Sequence, residues 1–292
     1  MTDEPLPFQP LVIIGAARSG TNALRDMLTR LHGFGTWPCD EINAIWRHGN
    51  LHHPSDALPP ERATVEIRSY IRGAFWAAWR RQGRPDVLVE KTCANTLRVP
   101  FVDAILPEAR FVHILRDGCA VVPSAMKRWR GEFELPALGY YLRKLLYVPV
   151  ADLPVYAARS LKNRRALRSG SAPRMAMWGP RPDGFRADPG VPLDVLCARQ
   201  WGSCVVSAST ALAKIAPDRR ITITYERMVA DPATVLAEIA QMLGRTPSPD
   251  EIDVAADGIR RGKPRDPLPL SPEAEAEIAS VHAALHGGGD AA

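Results

Sequence analysis

The sequence predicts an α/β fold in which a central, mainly parallel sheet is flanked by helices. Three observations predict it. Leu11 to Ile14, Val87 to Val89 and Phe111 to Leu115 are short runs, apolar but for His113, the signature of strands buried on both faces. Stretches with helical spacing separate them, as βαβ units require. Each run is followed at once by glycine or charge, so the polar groups fall at strand ends, where ligands of parallel sheets bind.

In chain order, Gly15 to Asn22 joins the first strand to a helix whose Leu24, Met27, Leu28 and Leu31 share one face. Residues 37 to 60 read as irregular and 61 to 81 as helical. Val87 to Val89 is the second strand, with Glu90 just past its end. Leu97 to Leu106 is a helix stopped by Pro107. Phe111 to Leu115 leads into a helix reaching about Trp129. Gly131 to Pro192 reads as a proline-rich, basic insertion with short helical pieces near Leu138 to Leu146, and Arg168 to Pro192 as a candidate mobile lid. Helices follow over Leu193 to Ile215, Pro232 to Leu243 and Pro272 to Leu285, with a β-branched strand at Ile221 to Thr224. Residues 1–292 form one domain, with 287–292 a disordered tail.

The chain has 292 residues, 46% hydrophobic and 24% charged, which excludes bulk disorder. The net charge of +5 suits an anionic ligand. It is too dispersed for a nucleic-acid surface. Five cysteines without framework spacing suggest reduced thiols, and no Cys/His spacing predicts a metal. The N-terminus lacks a signal-peptide pattern, and no apolar stretch approaches the ~20 residues of a membrane span. These features predict a cytoplasmic protein without an integral membrane segment; the oligomeric state is not legible.

Gly15-Ala-Ala-Arg18-Ser19-Gly20-Thr21 nearly matches G-x-x-x-x-G-K-[ST] and predicts a P-loop-like anion cradle of backbone N–H groups at a helix N-terminus. Thr21 stands where the lysine would be, and Arg18 supplies the cation instead. A plain strand–helix turn is the competing reading. Arg116 ends the third strand, eight residues before Ser124; a guanidinium fork and a hydroxyl together suit a phosphate.

These segments resemble PAPS-dependent sulfotransferases, in particular the bacterial, carbohydrate- and heparan-sulfotransferase-like branch. PAPS is 3′-phosphoadenosine 5′-phosphosulfate. Ile13 to Thr21 is similar to the 5′-phosphosulfate loop, which implies that Arg18, Ser19, Gly20, Thr21 and Asn22 bind the donor and that Arg18 acts on the sulfuryl group. Arg116 and Ser124 are similar to the 3′-phosphate motif. Two departures are a lysine in many relatives at Arg18, and Ala23 where an adenine-stacking tryptophan is common. Tyr225-Glu226 followed by Asp231-Pro232 resembles a segment whose tyrosine lies near the adenine; a core strand end explains it equally well. Arg260-Arg261-Gly262 resembles the segment closing on the 3′-phosphate, against the alternative of solvated surface.

Glu90-Lys91-Thr92 resembles the E-K-[TS]-P segment, which implies Glu90 as general base with Lys91 beside it; an orienting, structural Glu90 is the alternative. His113 is the rival base, set inside an apolar strand. The resemblance implies a sulfotransferase using PAPS, releasing PAP and needing no metal. Its acceptor is a hydroxyl or amine, on a carbohydrate or small natural product, anionic or glycan-like. The competing functions are a P-loop kinase, which would want the missing loop lysine, and a non-catalytic nucleotide-binding scaffold.

Overall fold

A computed structural model describes residues 4–132, 152–168, 174–259 and 269–287. Five strands form one sheet in the order β2-β3-β1-β4-β5, every pair parallel. They are β1 (Gln9–Ile14), β2 (Phe34–Thr36), β3 (Val87–Lys91), β4 (Arg110–Leu115) and β5 (Arg220–Thr224). The helices are α1 (Thr21–Leu28), α2 (Asn43–Trp46), α3 (Val65–Arg81), α4 (Val99–Ile105), α5 (Gly118–Trp129), α6 (Leu153–Leu167), α7 (Leu193–Leu212), α8 (Tyr225–Ala230), α9 (Pro232–Met242), α10 (Pro249–Ala256) and α11 (Pro272–Gly287).

Strand alternation divides the core. Leu11, Ile13, Val87, Val89, Val112 and Ile114 pack against α1, α9 and α10. Val12, Ile14, Leu88 and Phe111 face the other way, toward α2, α3, α4 and the end of α7. A third apolar cluster joins α5, α7 and α11 beside the loop residue Ala16.

The apolar runs are strands as the sequence predicts, with two differences. β3 continues through Glu90 and Lys91, which are therefore strand residues bound by its alternation. β2 was not legible: Phe34-Gly35-Thr36 is a three-residue edge strand with no apolar run. Residues 37 to 60 also contain the single turn α2. Within the insertion, Met175 N–H donates to Trp129 O at 2.7 Å, Asp56 N–H to Arg181 O at 2.7 Å and Arg181 N–H to Asp56 Oδ2 at 2.9 Å. Gln200 Nε2 donates to the Trp178 and Pro180 carbonyls. These bonds lace residues 175–181 to the body of the fold. The expected pieces at Leu138 to Leu146, the basic run Arg260, Arg261 and Gly262, residues 169–173 of the expected lid, and residues 288–292 of the tail lie outside the described residues.

Candidate active site

The loop after β1 sits at the centre of the sheet's C-terminal edge, because β1 has β3 on one side and β4 on the other. Its backbone is special at two places. Gly20 caps α1 at φ +89°, and a Cβ there would collide with the Tyr225 ring, 2.8 Å from Cε2. Arg18 takes a left-handed φ of +74°, unusual for a residue with a side chain. Its carbonyl is held by Arg116 Nη1, which donates to it at 3.1 Å.

Four expected donor-site residues from four segments meet here. Arg18 Nε donates to Ser124 Oγ on α5 at 2.9 Å. Arg116, at the end of β4, braces the loop and lays its guanidinium 4.0 Å above the Tyr225 ring at the start of α8. Two buried polar atoms are left without a partner: Ser19 Oγ and Arg116 Nε. Buried polar groups are nearly always hydrogen-bonded, so orphans at and beside this loop fit a ligand that brings oxygens to them. The residues present therefore suit a phosphorylated or sulfated donor.

The other flank lies toward β3. Thr21 Oγ1, at the start of α1, is 3.9 Å from Cys93 Sγ. Lys91 Nζ donates to Glu41 Oε1 at 3.4 Å, and Cys93 N–H donates to the same oxygen at 3.3 Å. The Lys91 side chain is 3% exposed and that of Glu41 34%. Burial opposes the Lys91 cation, but Glu41, Cys93 and Asp40 outweigh it and hold its pKa above the ordinary value. Sequence reasoning missed Glu41, which lies in an irregular segment with no periodicity; an acidic Asp40-Glu41 pair was its only signal.

Glu90 is 0% exposed and lies within β3, which corrects its expected position just past the end of the strand. The physical reason is alternation: consecutive strand residues face opposite sides. Lys91 shares the face of Val89 and α1, while Glu90 shares that of Leu88, among the residues packed on α2 and α4. Thr92 Oγ1 donates to Glu90 Oε1 at 2.5 Å and Asn95 Nδ2 to Oε2 at 2.9 Å. Burial pushes the Glu90 pKa up to about 7, against the opposing hydrogen bond from Thr92. His113 is buried inside β4, and burial lowers its pKa to about 4, so it is a neutral imidazole in the core.

Among the described residues no cluster of His, Cys, Asp and Glu could hold a metal ion, and no helix is long and apolar enough to cross a membrane. No curated protein matches the chain. A family model described as the sulfotransferase family matches residues 10–145. The fold is similar to a sulfotransferase from Alicyclobacillus acidocaldarius at 14% identity and TM-score 0.54, covering 97% of this chain and 96% of that one. It is also similar to the sulfotransferase domain from the curacin biosynthetic pathway, at 13% identity and TM-score 0.51, with coverages of 96% and 99%. A third likeness is STF9 from Mycobacterium avium, at 15% identity and TM-score 0.50, with coverages of 99% and 78%. The stretch matched by the sulfotransferase family model runs from β1 past α5 and so contains the loop of Arg18, the end of β3, Arg116 and Ser124.

Proposed function

We propose that the protein is a sulfotransferase that takes its sulfuryl group from PAPS and delivers it to a hydroxyl or amine, with the donor's two ends on the β1 and β4 sides and the acceptor approaching from the β3 side. The observation that carries the reading is the meeting of Arg18, Arg116, Ser124 and Tyr225, which puts two guanidinium groups, a hydroxyl and an aromatic face around one anion-binding loop.

The donor supplies an activated sulfuryl group and a 3′-phosphate by which it can be told from other adenine nucleotides. The loop from Gly15 to Asn22 offers backbone N–H groups and the N-terminus of α1 to the 5′ end. Arg18 offsets the negative charge that spreads over the transferring group, with Lys91 the second cation at the loop. Arg116 and Ser124 hold the 3′-phosphate. The Tyr225 ring, under Arg116, suits the adenine.

The acceptor's proton needs a carboxylate that it can reach. Glu41 meets that condition, being partly exposed and held against Lys91 and the Cys93 N–H. Glu90 as base is the second reading, favoured by a pKa near neutrality but opposed by complete burial.

Two measurements test this. Calorimetry should show PAP binding much more tightly than AMP, each lost charge-assisted contact being worth about 1.5–3 kcal/mol. Arg116→Ala should erase most of that difference. Equal affinity of the unaltered protein for PAP and AMP would overturn the donor assignment. With labelled PAPS and a panel of carbohydrate, small-alcohol and amine acceptors, Glu41→Gln should lower kcat about 10²–10⁴-fold with PAP affinity retained. If Glu41→Gln turns over normally and Glu90→Gln does not, the base is Glu90.

A further inference from the structure

From Leu153 to Arg168 the chain carries Arg159, Lys162, Arg164, Arg165 and Arg168 and no acidic residue, as many positive charges as the net charge of the whole sequence, +5. The helix α6 covers this run, with Arg168 as its C-cap. Two residues one turn apart set its inner face. Asn163 donates from Nδ2 to Met177 O at 2.9 Å and accepts the Met177 N–H on Oδ1 at 3.0 Å. Leu167 packs beside Gly131, where a Cβ would lie 3.1 Å from Leu167 Cδ2. Lys162, Arg164, Arg165 and Arg168 fall on the rest of the circumference and are exposed. None of the four has an ion pair among the described residues, and the helix offers no acid three or four positions away. The helix dipole accounts for cations in the last turn, but not for Lys162 or for the lack of any compensating acid.

We propose that the exposed face of α6 is a docking surface for an anionic glycan chain, the part of the acceptor that lies beyond the reacting hydroxyl or amine. The proposal rests on the sulfotransferase reading above. Both ends of the helix tie it to the site. Asp152, just before α6, has its carboxylate 3.4 Å from His48 Nδ1, in the segment that follows β2. Met177, held by Asn163, is followed by Trp178 and Pro180, which line a cleft with Ala16 and Ala17, the two residues before Arg18. The strap 177–180 thus connects α6 to the loop that carries Arg18. The chemistry of the surface selects its occupant. A lipid surface wants a broad apolar face, and Leu161, 48% exposed, is the one large apolar side chain exposed on α6 among the described residues. Nucleic acids and protein partners draw on aromatic side chains, and Tyr156, the one aromatic of α6, has its hydroxyl buried. What the face offers is charge without stacking or apolar burial. That fits a hydrated polyanion whose carboxylate or sulfate groups meet the cations one at a time.

The test measures binding of a heparin octasaccharide to the full chain at low and raised salt, alongside PAP affinity. Lys162→Gln, Arg164→Gln, Arg165→Gln and Arg168→Gln, combined in one variant, remove charge from exposed positions only. This variant is expected to bind the octasaccharide about tenfold more weakly and with a flatter salt dependence, its PAP affinity and far-UV circular dichroism unchanged. A second variant, Arg80→Gln, Arg81→Gln and Arg84→Gln on α3, removes charge elsewhere and should keep the octasaccharide affinity. Unaltered binding in the α6 variant overturns the proposal. So does an equal loss in the α3 variant, since net charge alone would then be the attraction. Tighter binding of phosphatidylserine vesicles or of a single-stranded oligonucleotide than of the octasaccharide overturns the choice of occupant. With labelled PAPS, sulfate incorporation into desulfated heparin should show a raised KM in the α6 variant with kcat kept. No incorporation, or an unchanged KM, overturns the assignment of this face to the acceptor. If PAP binds no better than AMP, the donor reading falls, while the octasaccharide result still decides whether α6 takes a polyanion.

Discussion

At the end of β3 two charged residues adjacent in sequence are sent to opposite faces of the sheet, and their protonation follows from where they land. Lys91 finds acidic neighbours and keeps its charge. Glu90 is sealed beside Arg98, with hydrogen bonds but no water, and its pKa rises from the ordinary 4.5 to about 7. A group that holds its proton more tightly when folded contributes stability that is fully present below its unfolded pKa and is lost as the pH rises through its folded one. For Glu90 the window is therefore about pH 4.5 to 7, and the loss is on the order of 3 kcal/mol. His113 has the opposite sign, its stability contribution disappearing as the pH falls through about 4. The two effects overlap, so the difference between proteins is the informative quantity. Denaturant melts of the parent protein and Glu90→Gln from pH 4.5 to 8 should show the parent losing stability relative to the variant across that window. Parallel curves would mean that Glu90 is already ionised at low pH.

At the scale of elements, the loop after β1 is a backbone shape held by its surroundings. Gly20 adopts φ +89° without the strain a Cβ would bring, and the Tyr225 ring fills the space a Cβ would need. Gly20→Ala combines left-handed strain, of order 1–3 kcal/mol, with that collision. Calorimetry should show PAP affinity falling at least tenfold while far-UV circular dichroism is unchanged; unaltered affinity would mean that the loop tolerates reshaping. Another element-scale anchor is the fully buried pair of Arg47 Nη1 and Asp56 Oδ1 at 2.8 Å. Asp56 Oδ2 also accepts the Arg181 N–H, joining residues 47–56 to the insertion. Burial works against the Asp56 carboxylate, but Arg98, Arg47 and Arg181 hold its pKa below the ordinary value. Asp56→Ala leaves a buried guanidinium short of its counter-charge, which costs about 3–5 kcal/mol. Thermal unfolding should shift down by several degrees, and faster proteolysis around residues 175–181 should accompany it.

For the whole molecule, what could be read from the sequence follows a physical division. Strands buried on both faces are apolar over most of their length, so the runs within β1, β3 and β4 were legible; β2, with three residues at an edge, had no such requirement. Arg18, Arg116, Ser124 and Tyr225 were legible because chain geometry alone brings strand ends and helix starts to one edge of a parallel sheet. Glu41 was not, since it reaches the site through hydrogen bonds to residues 50 and 52 positions away. The burial of Glu90 turned on whether β3 ended one residue earlier or later, the boundary that apolar runs define least well.

The order of the strands also bears on how the chain is made. β1 comes first of the five, yet its neighbours are β3 and β4, so neither edge of it can be satisfied until residues 87–91 and 110–115 have emerged. During synthesis its apolar run therefore waits, without its strand partners, for roughly a third of the chain. Pairings so distant make folding slow and leave strand edges exposed to other chains. Heterologous production should accordingly gain more soluble protein from slower translation or chaperone supply than from any change to the finished surface.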